Sequence, residues 1–216
     1  MRFNRTLLVS AVFMLTGAAV AFWLWPKLPA QVPSHWDEHG RVDGYMSRLW
    51  AAWFPVLGVF AMAFLTWLLP VISPNRFRIG PFVHIFNGLM LVIQGFLLVL
   101  GISMLLVGAG YAVPIPMLSM LGMGALLVIL GNYMGKLQRN FFIGIRTPWT
   151  IASEGTWERT HRLGGRLFVL AGLVVLVGTP LGMPLSVVIA VILVAGLFPA
   201  LYSYLIYRRI EGPPRD

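Results

Sequence analysis

The stretch from Val83 to Val107, VHIFNGLMLVIQGFLLVLGISMLLV, decides how the rest of the chain must be read. It runs for 25 residues without an Asp, Glu, Lys or Arg. As an α-helix it would be about 37 Å long, enough to cross a hydrocarbon core of roughly 30 Å. Five more apolar stretches lie on either side, at Thr6–Trp25, Leu49–Ile72, Pro116–Tyr133, Leu163–Thr179 and Pro184–Tyr207. The 216 residues are 58% hydrophobic and 11% charged, whereas a soluble domain carries roughly 25% charged residues. In lipid a chain must satisfy its backbone internally, and helices of this length do so. The expectation is an all-α, polytopic membrane protein with six transmembrane helices.

The first stretch admits a second reading as a secretory signal, with Arg2 and Arg5 ahead of it and Ala19-Val20-Ala21 resembling a cleavage site. Its length and the Trp23/Trp25 pair at its end favour a retained helix. Thirteen of the 16 Lys and Arg residues fall on the side of the N-terminus, and only Lys27, Arg41 and Arg48 fall on the other. The positive-inside rule therefore places both termini in the cytoplasm. The same bias accounts for the net charge of +9 without nucleic acid as a partner. With no cysteine, disulfides, thiolate metal sites and thiol nucleophiles are all excluded.

Two connections are long enough for elaborate work. Residues 26–48 form an outer loop punctuated by Pro26, Pro29, Pro33, Gly40 and Gly44. Residues 134–162 form an inner loop. The chain divides on this reading into a two-helix unit, 1–72, and a four-helix unit, 73–216, packed as one bundle. RFRIGPF at Arg76–Phe82 and GIRTPW at Gly144–Trp149 are faintly alike, too short a likeness to establish an inverted repeat of the transporter kind.

The outer loop contains HWDEH, His35 to His39, which fits the H-x-x-E-H pattern of inverted zinc metalloproteases. That chemistry needs both histidines on one long helix, and a third ligand. Pro33 and Gly40 bound the segment to about six residues, too few for a helix to persist unaided. Asp43 is the third candidate beside His35 and His39, but nothing in the pattern requires it. The expected outer loop is a polar, turn-rich cap, with no metal or other cofactor.

The inner loop mixes aromatic and cationic residues. Ser153 is a candidate N-cap for a short helix ending near Arg162. On that helix Trp157 and His161 share one face, suited to the headgroup layer, while Glu158 and Arg162 stand at the favourable i,i+4 spacing. Arg146, ahead of Thr147-Pro148-Trp149, places a guanidinium beside an indole, an arrangement that holds phosphate or carboxylate, or stacks. The plainer alternative is an amphipathic segment lying on the inner leaflet.

No charged residue sits near the centre of a span, unlike proton-coupled transporters and voltage sensors. The polar residues there are His84, Asn87 and Gln94 on the third span and Asn132 on the fourth. Asn87 and Gln94 are seven apart and share a face, fit for hydrogen bonds between helices or for lining a cavity. Gly131 and Gly135 form a small-xxx-small pair that would let the fourth helix pack closely.

Two blocks together resemble a known family. LPAQVPSHWDEHGRVDGYMSR (Leu28–Arg48) is similar to a bacterial membrane domain of unknown function with the pattern P-x-H-W-x-x-x-G-x-x-D-x-[YW]. RNFFIGIRTPWTIASEGTWERTHRLGG (Arg139–Gly165) resembles the SdpI-family signature G-[IV]-R-T-P-W followed by W-x-x-T-H-[RK]. Asn140, Gly144, Arg146, Thr147, Pro148, Trp149, Trp157 and His161 match the inner signature. Pro33, His35, Trp36, Gly40, Asp43 and Tyr45 match the outer one, and His39 falls at a variable position. The resemblance implies a bacterial inner-membrane immunity protein, not an enzyme, protecting against a secreted, membrane-active peptide toxin. It further implies a signalling role in which a small cytoplasmic repressor is recruited to the membrane. A transporter with Asn87, Gln94 and Asn132 along its path, and a membrane-embedded hydrolase using His35, His39 and Asp43, are the competing readings.

Overall fold

The computed structural model describes residues 2–37 and 39–212; Glu38 of the HWDEH segment and Arg215, one of the thirteen cations on the side of the N-terminus, lie outside the described residues. Six helices among those residues are long and apolar enough to cross a membrane. They are α1 (Arg2–Leu24), α2 (Arg48–Ile72), α3 (Val83–Gly108), α4 (Ile115–Met134), α6 (Glu154–Gly178) and α7 (Leu185–Glu211). A five-residue helix, α5 (Pro148–Ala152), precedes α6. Strands β1 (Gln31–Trp36) and β2 (Val42–Ser47) form an antiparallel hairpin between α1 and α2. The chain packs as two compact units, one from the residues up to Trp67 with Asn87–Gly122, the other from Leu68–Phe86 with the residues from Met123 onward.

The hairpin is an addition to the all-helical expectation. Its second strand alternates half-buried Val42, Gly44 and Met46 with exposed Asp43, Tyr45 and Ser47, the period of a strand with one face covered. Asp37 organises the turn. Its Oδ1 accepts from the His39 and Arg41 amides at 2.9 and 2.8 Å, and its Oδ2 accepts from Arg41 Nε at 2.9 Å. Gly40 supplies the left-handed residue, φ 76°. Pro33 and Gly44 within the strands hide this alternation in the sequence.

In the first unit Leu28 and Val32 bury their side chains in a core with Ala21 and Leu24 of α1, Ala51 and Ala52 of α2, Met104 and Leu105 of α3 and Ile115 of α4. Gly108 makes room for the hairpin: a Cβ there would lie 2.7 Å from Val32 Cγ1. Lys27 donates to the Tyr111 hydroxyl at 2.9 Å and lies over the Trp23 ring, while Arg48 lies over Trp25.

The second unit departs from expectation at α6. The short helix to Arg162 and the separate span from Leu163 are one continuous helix of 25 residues. Ser153 caps it, accepting from the Thr156 amide at 3.3 Å. No proline interrupts it, and Gly164-Gly165, which could have broken it, serve as a packing surface instead. A Cβ at Gly131 would lie 2.6 Å from the Gly165 carbonyl oxygen, and one at Gly172 would lie 2.5 Å from that of Gly124. The close approach of α4 therefore uses Gly124 and Gly131, seven apart, against Gly172 and Gly165. Gly135 is exposed and does not share in it.

Helices in lipid lack a hydrophobic drive to associate and rely on such close packing. Gly131→Ala and Gly172→Ala should each destabilise the protein by about 1–3 kcal/mol, because the obstructing atoms are backbone. Gly196→Ala on α7 meets nothing within 4 Å and should be neutral or slightly stabilising. Thermal unfolding in a mild detergent separates the two classes.

Candidate functional site

The inner signature folds into a hydrogen-bonded knot between the end of α4 and the start of α6. Asn140, fully buried, uses its whole amide. Its Nδ2 donates to the Gln138 and Ile143 carbonyls at 2.8 and 3.1 Å, and its Oδ1 accepts from the Phe142 and Ile143 amides, both at 2.8 Å. The chain then passes through Gly144 at φ 110°, where a Cβ would land on the His161 ring. Thr147 caps α5 in a reciprocal pair with Thr150, and Pro148 takes the first helical position. The Thr147 hydroxyl lies 2.9 Å from that of Ser203, which ties α5 to α7.

Trp157 and His161 do not face headgroups. Each is 1% exposed, and their rings stack with centroids 3.9 Å apart. The burial follows from their partners: Trp157 Nε1 donates to the Leu137 carbonyl at 2.7 Å, and the Ile145 amide donates to His161 Nε2 at 3.0 Å. His161 Nδ1 lies 2.8 Å from the Trp157 carbonyl oxygen. That oxygen can only accept and the Ile145 N–H can only donate, so the imidazole is neutral with its proton on Nδ1. The ring is thus a fixed connector between the loop and α6.

Arg146 does not pair with Trp149. It is exposed and donates to the Phe141 carbonyl at 2.6 Å, whereas Trp149 packs against Tyr204 of α7 at 5.0 Å. Arg139 closes the other side, donating to the carbonyls of Ile151 and Ala152 that end α5, with Phe77 beneath its guanidinium. The expected Glu158–Arg162 pair forms at 3.5 Å. Thr150 and Ser203 are the knot residues that sequence reasoning missed. The T-P-x-T spacing of a capped helix signals the first, but nothing marks Ser203, 53 residues later.

On the hairpin, His35 Nδ1 lies 2.5 Å from Asp43 Oδ1, both side chains well exposed. His35 fits because Gly44 opposite has no side chain; a Cβ there would lie 2.8 Å from that of His35. Trp36 pairs with Val42 in the strand register. His35 stands on a strand and His39 in the turn beyond it, which removes the helical geometry that H-x-x-E-H chemistry requires. Among the described residues no three His, Asp or Glu side chains converge as a metal site would need. The Arg41 amide above all, working against desolvation and with help from the Arg41 guanidinium and the His39 amide, holds the Asp37 carboxyl below its usual 3.8.

Of the intramembrane polar residues, His84 is exposed, while Asn87 and Gln94 are buried on α3. Gln94 Nε2 reaches Thr66 Oγ1 of α2 at 3.5 Å, but Gln94 Oε1 and Asn87 Oδ1 find no partner among the described residues. Asn132 is exposed on α4.

Residues 136–203 match the family model of the SdpI/YfhL protein family, a segment that begins at the knot and ends on Ser203. Residues 12–59, which include the hairpin, match the Domain of unknown function (DUF1648). The chain thus resembles the SdpI/YfhL family over that segment, behind a stretch similar to the amino-terminal domain, and with its six spans is a multi-pass bacterial membrane protein. A relative over nearly its whole length is "Immunity protein SdpI" of Bacillus subtilis (strain 168), 28% identical over 208 residues, covering 95% of this chain and 97% of the relative. No solved structure matches.

Trp157→Phe keeps an aromatic ring but leaves the buried Leu137 carbonyl without a donor. It should lower stability by about 1–3 kcal/mol, read as a fall in unfolding temperature with faster hydrogen exchange at Ile145. An unchanged profile would mean that the knot does not depend on this bond.

Proposed function

We propose that this protein confers immunity to a secreted, membrane-active peptide toxin. The likeness to the Bacillus subtilis immunity protein across 95% of this chain and 97% of that one carries the reading. In this reading both termini are cytoplasmic, as the distribution of Lys and Arg supports. The hairpin with His35, Trp36, Gly40 and Asp43 faces outward and the signature loop faces the cytoplasm. Residues 1–72 meet the toxin, and 73–216 carry the response.

Beside the hairpin, α1 and α2 border an apolar groove of about 390 Å³ edged by Phe22, Trp25, Leu49 and Trp53, open to lipid. A membrane-active peptide presents an apolar face of the kind such a groove accepts. Signalling would work through the knot: a toxin that prefers one packing of the helices changes what the signature loop offers a cytoplasmic repressor, by no more than its differential affinity. Arg146, exposed on that loop, is the residue best placed to meet such a partner. Transport of a small or lipid-linked substrate is the second reading, favoured by the unpartnered oxygens of Asn87 and Gln94. It requires substrate flux in proteoliposomes, which immunity alone does not.

Expression in a toxin-sensitive bacterial host should raise survival against at least one membrane-active peptide, and Trp36→Ala on the hairpin should reduce it at unchanged protein level. Equal killing with and without the protein across a panel of such peptides would contradict immunity.

A further inference from the structure

In the second unit α4 and α6 border an open groove of about 450 Å³ whose two ends differ in chemistry. Its floor is glycine: Gly131, Gly135 and Gly165 present no side chains, and the stem of Arg162 lies beside Gly135, where a Cβ would sit 3.8 Å from Arg162 Cγ. At the end nearer the loop stand Arg162, Arg166 and Asn132. Further along, Val169, Leu170 and Leu173 continue the same face of α6.

The two cations differ in their surroundings. Arg162 shares its charge with Glu158, 3.5 Å away. Arg166 makes no hydrogen bond or ion pair with any described residue. It stands on α6 where the charged turns of Glu154, Glu158, Arg159 and Arg162 give way to the uninterrupted apolar run from Leu167 to Val177. An arginine at that boundary can extend its long stem into the headgroup layer and meet an anion there.

We propose that this groove binds an anionic glycerophospholipid, with the phosphate held by Arg166 and Arg162 and an acyl chain laid along Val169, Leu170 and Leu173. The charge selects the headgroup. The change from guanidinium to aliphatic wall within two turns suits an amphiphile, whereas a free phosphate would use only the basic end. Asn132 supplies a hydrogen-bond donor for the glycerol or phosphate oxygens, a task distinct from lining a transport path. Basic pockets between membrane helices are a recurrent site for such headgroups.

The test uses the full-length protein in detergent, with phosphatidylglycerol and phosphatidylcholine added in equal amounts and retained lipid counted by native mass spectrometry. The wild type should retain phosphatidylglycerol preferentially. Arg166→Gln should reduce that preference about fivefold, and Arg166→Lys should keep most of it. Arg208→Gln, which removes a cation on α7 outside the groove, should leave it unchanged. Inorganic phosphate at the same concentration should not displace the lipid. Equal retention of both lipids, an R166Q variant matching the wild type, an equal loss in R208Q, or displacement by phosphate would each overturn the proposal.

Discussion

Hydrocarbon offers a backbone amide no partner, and where the two long connections leave the helical ladder of the spans, polar side chains take over the pairing. The spans satisfy their own backbones. The hairpin and the signature loop cannot do so by helical bonding, and each is instead closed by one polar side chain that meets several backbone groups. Asp37 gathers two amides and a guanidinium at the hairpin turn. Asn140 engages both its donors and both its acceptor sites with backbone no more than three residues away. Trp157 and His161 extend the second network into α6, so the signature reads less as a binding motif displayed on a surface than as the means by which a non-helical loop is seated.

The same constraint explains the glycines. Apolar side chains gain little by leaving lipid for one another, so contact between backbones replaces burial as the reason to associate. Gly124 and Gly131 meet Gly172 and Gly165 in that way, and Gly101 admits Pro55, whose Cβ would be 2.6 Å from an added one. Gly108 serves the hairpin alike. These positions fix which faces of the helices meet, and they leave the groove over Gly131 and Gly165 that the lipid proposal occupies.

The six spans were legible because length and apolar composition are conditions the bilayer imposes directly; the helix ends depart from the expected spans by a few residues except at α6. There Arg159, Arg162 and Arg166 dilute the apolar signal, so a continuous helix reads as two. The hairpin was hidden for another reason: Pro33, Gly40 and Gly44 signal turns, while the alternation of Val42 and Met46 is only five residues long. At the site, residue types were legible but burial was not. Trp157 and His161 share a face in either account, and what covers that face is a loop whose path depends on Gly144 and on a hydroxyl contact with Ser203. Contacts that distant leave no local pattern.

The functional account joins this architecture to the likeness with an immunity protein, and it needs the hairpin to meet the outside while the knot meets the cytoplasm. The chain has no cysteine, so single substitutions report without background. Ser34→Cys in the hairpin and Gln138→Cys in the signature loop, probed with a membrane-impermeant maleimide on spheroplasts and on lysed membranes, decide the matter. The account predicts labelling of the first in both preparations and of the second only after lysis. Labelling of both from the same side would contradict it.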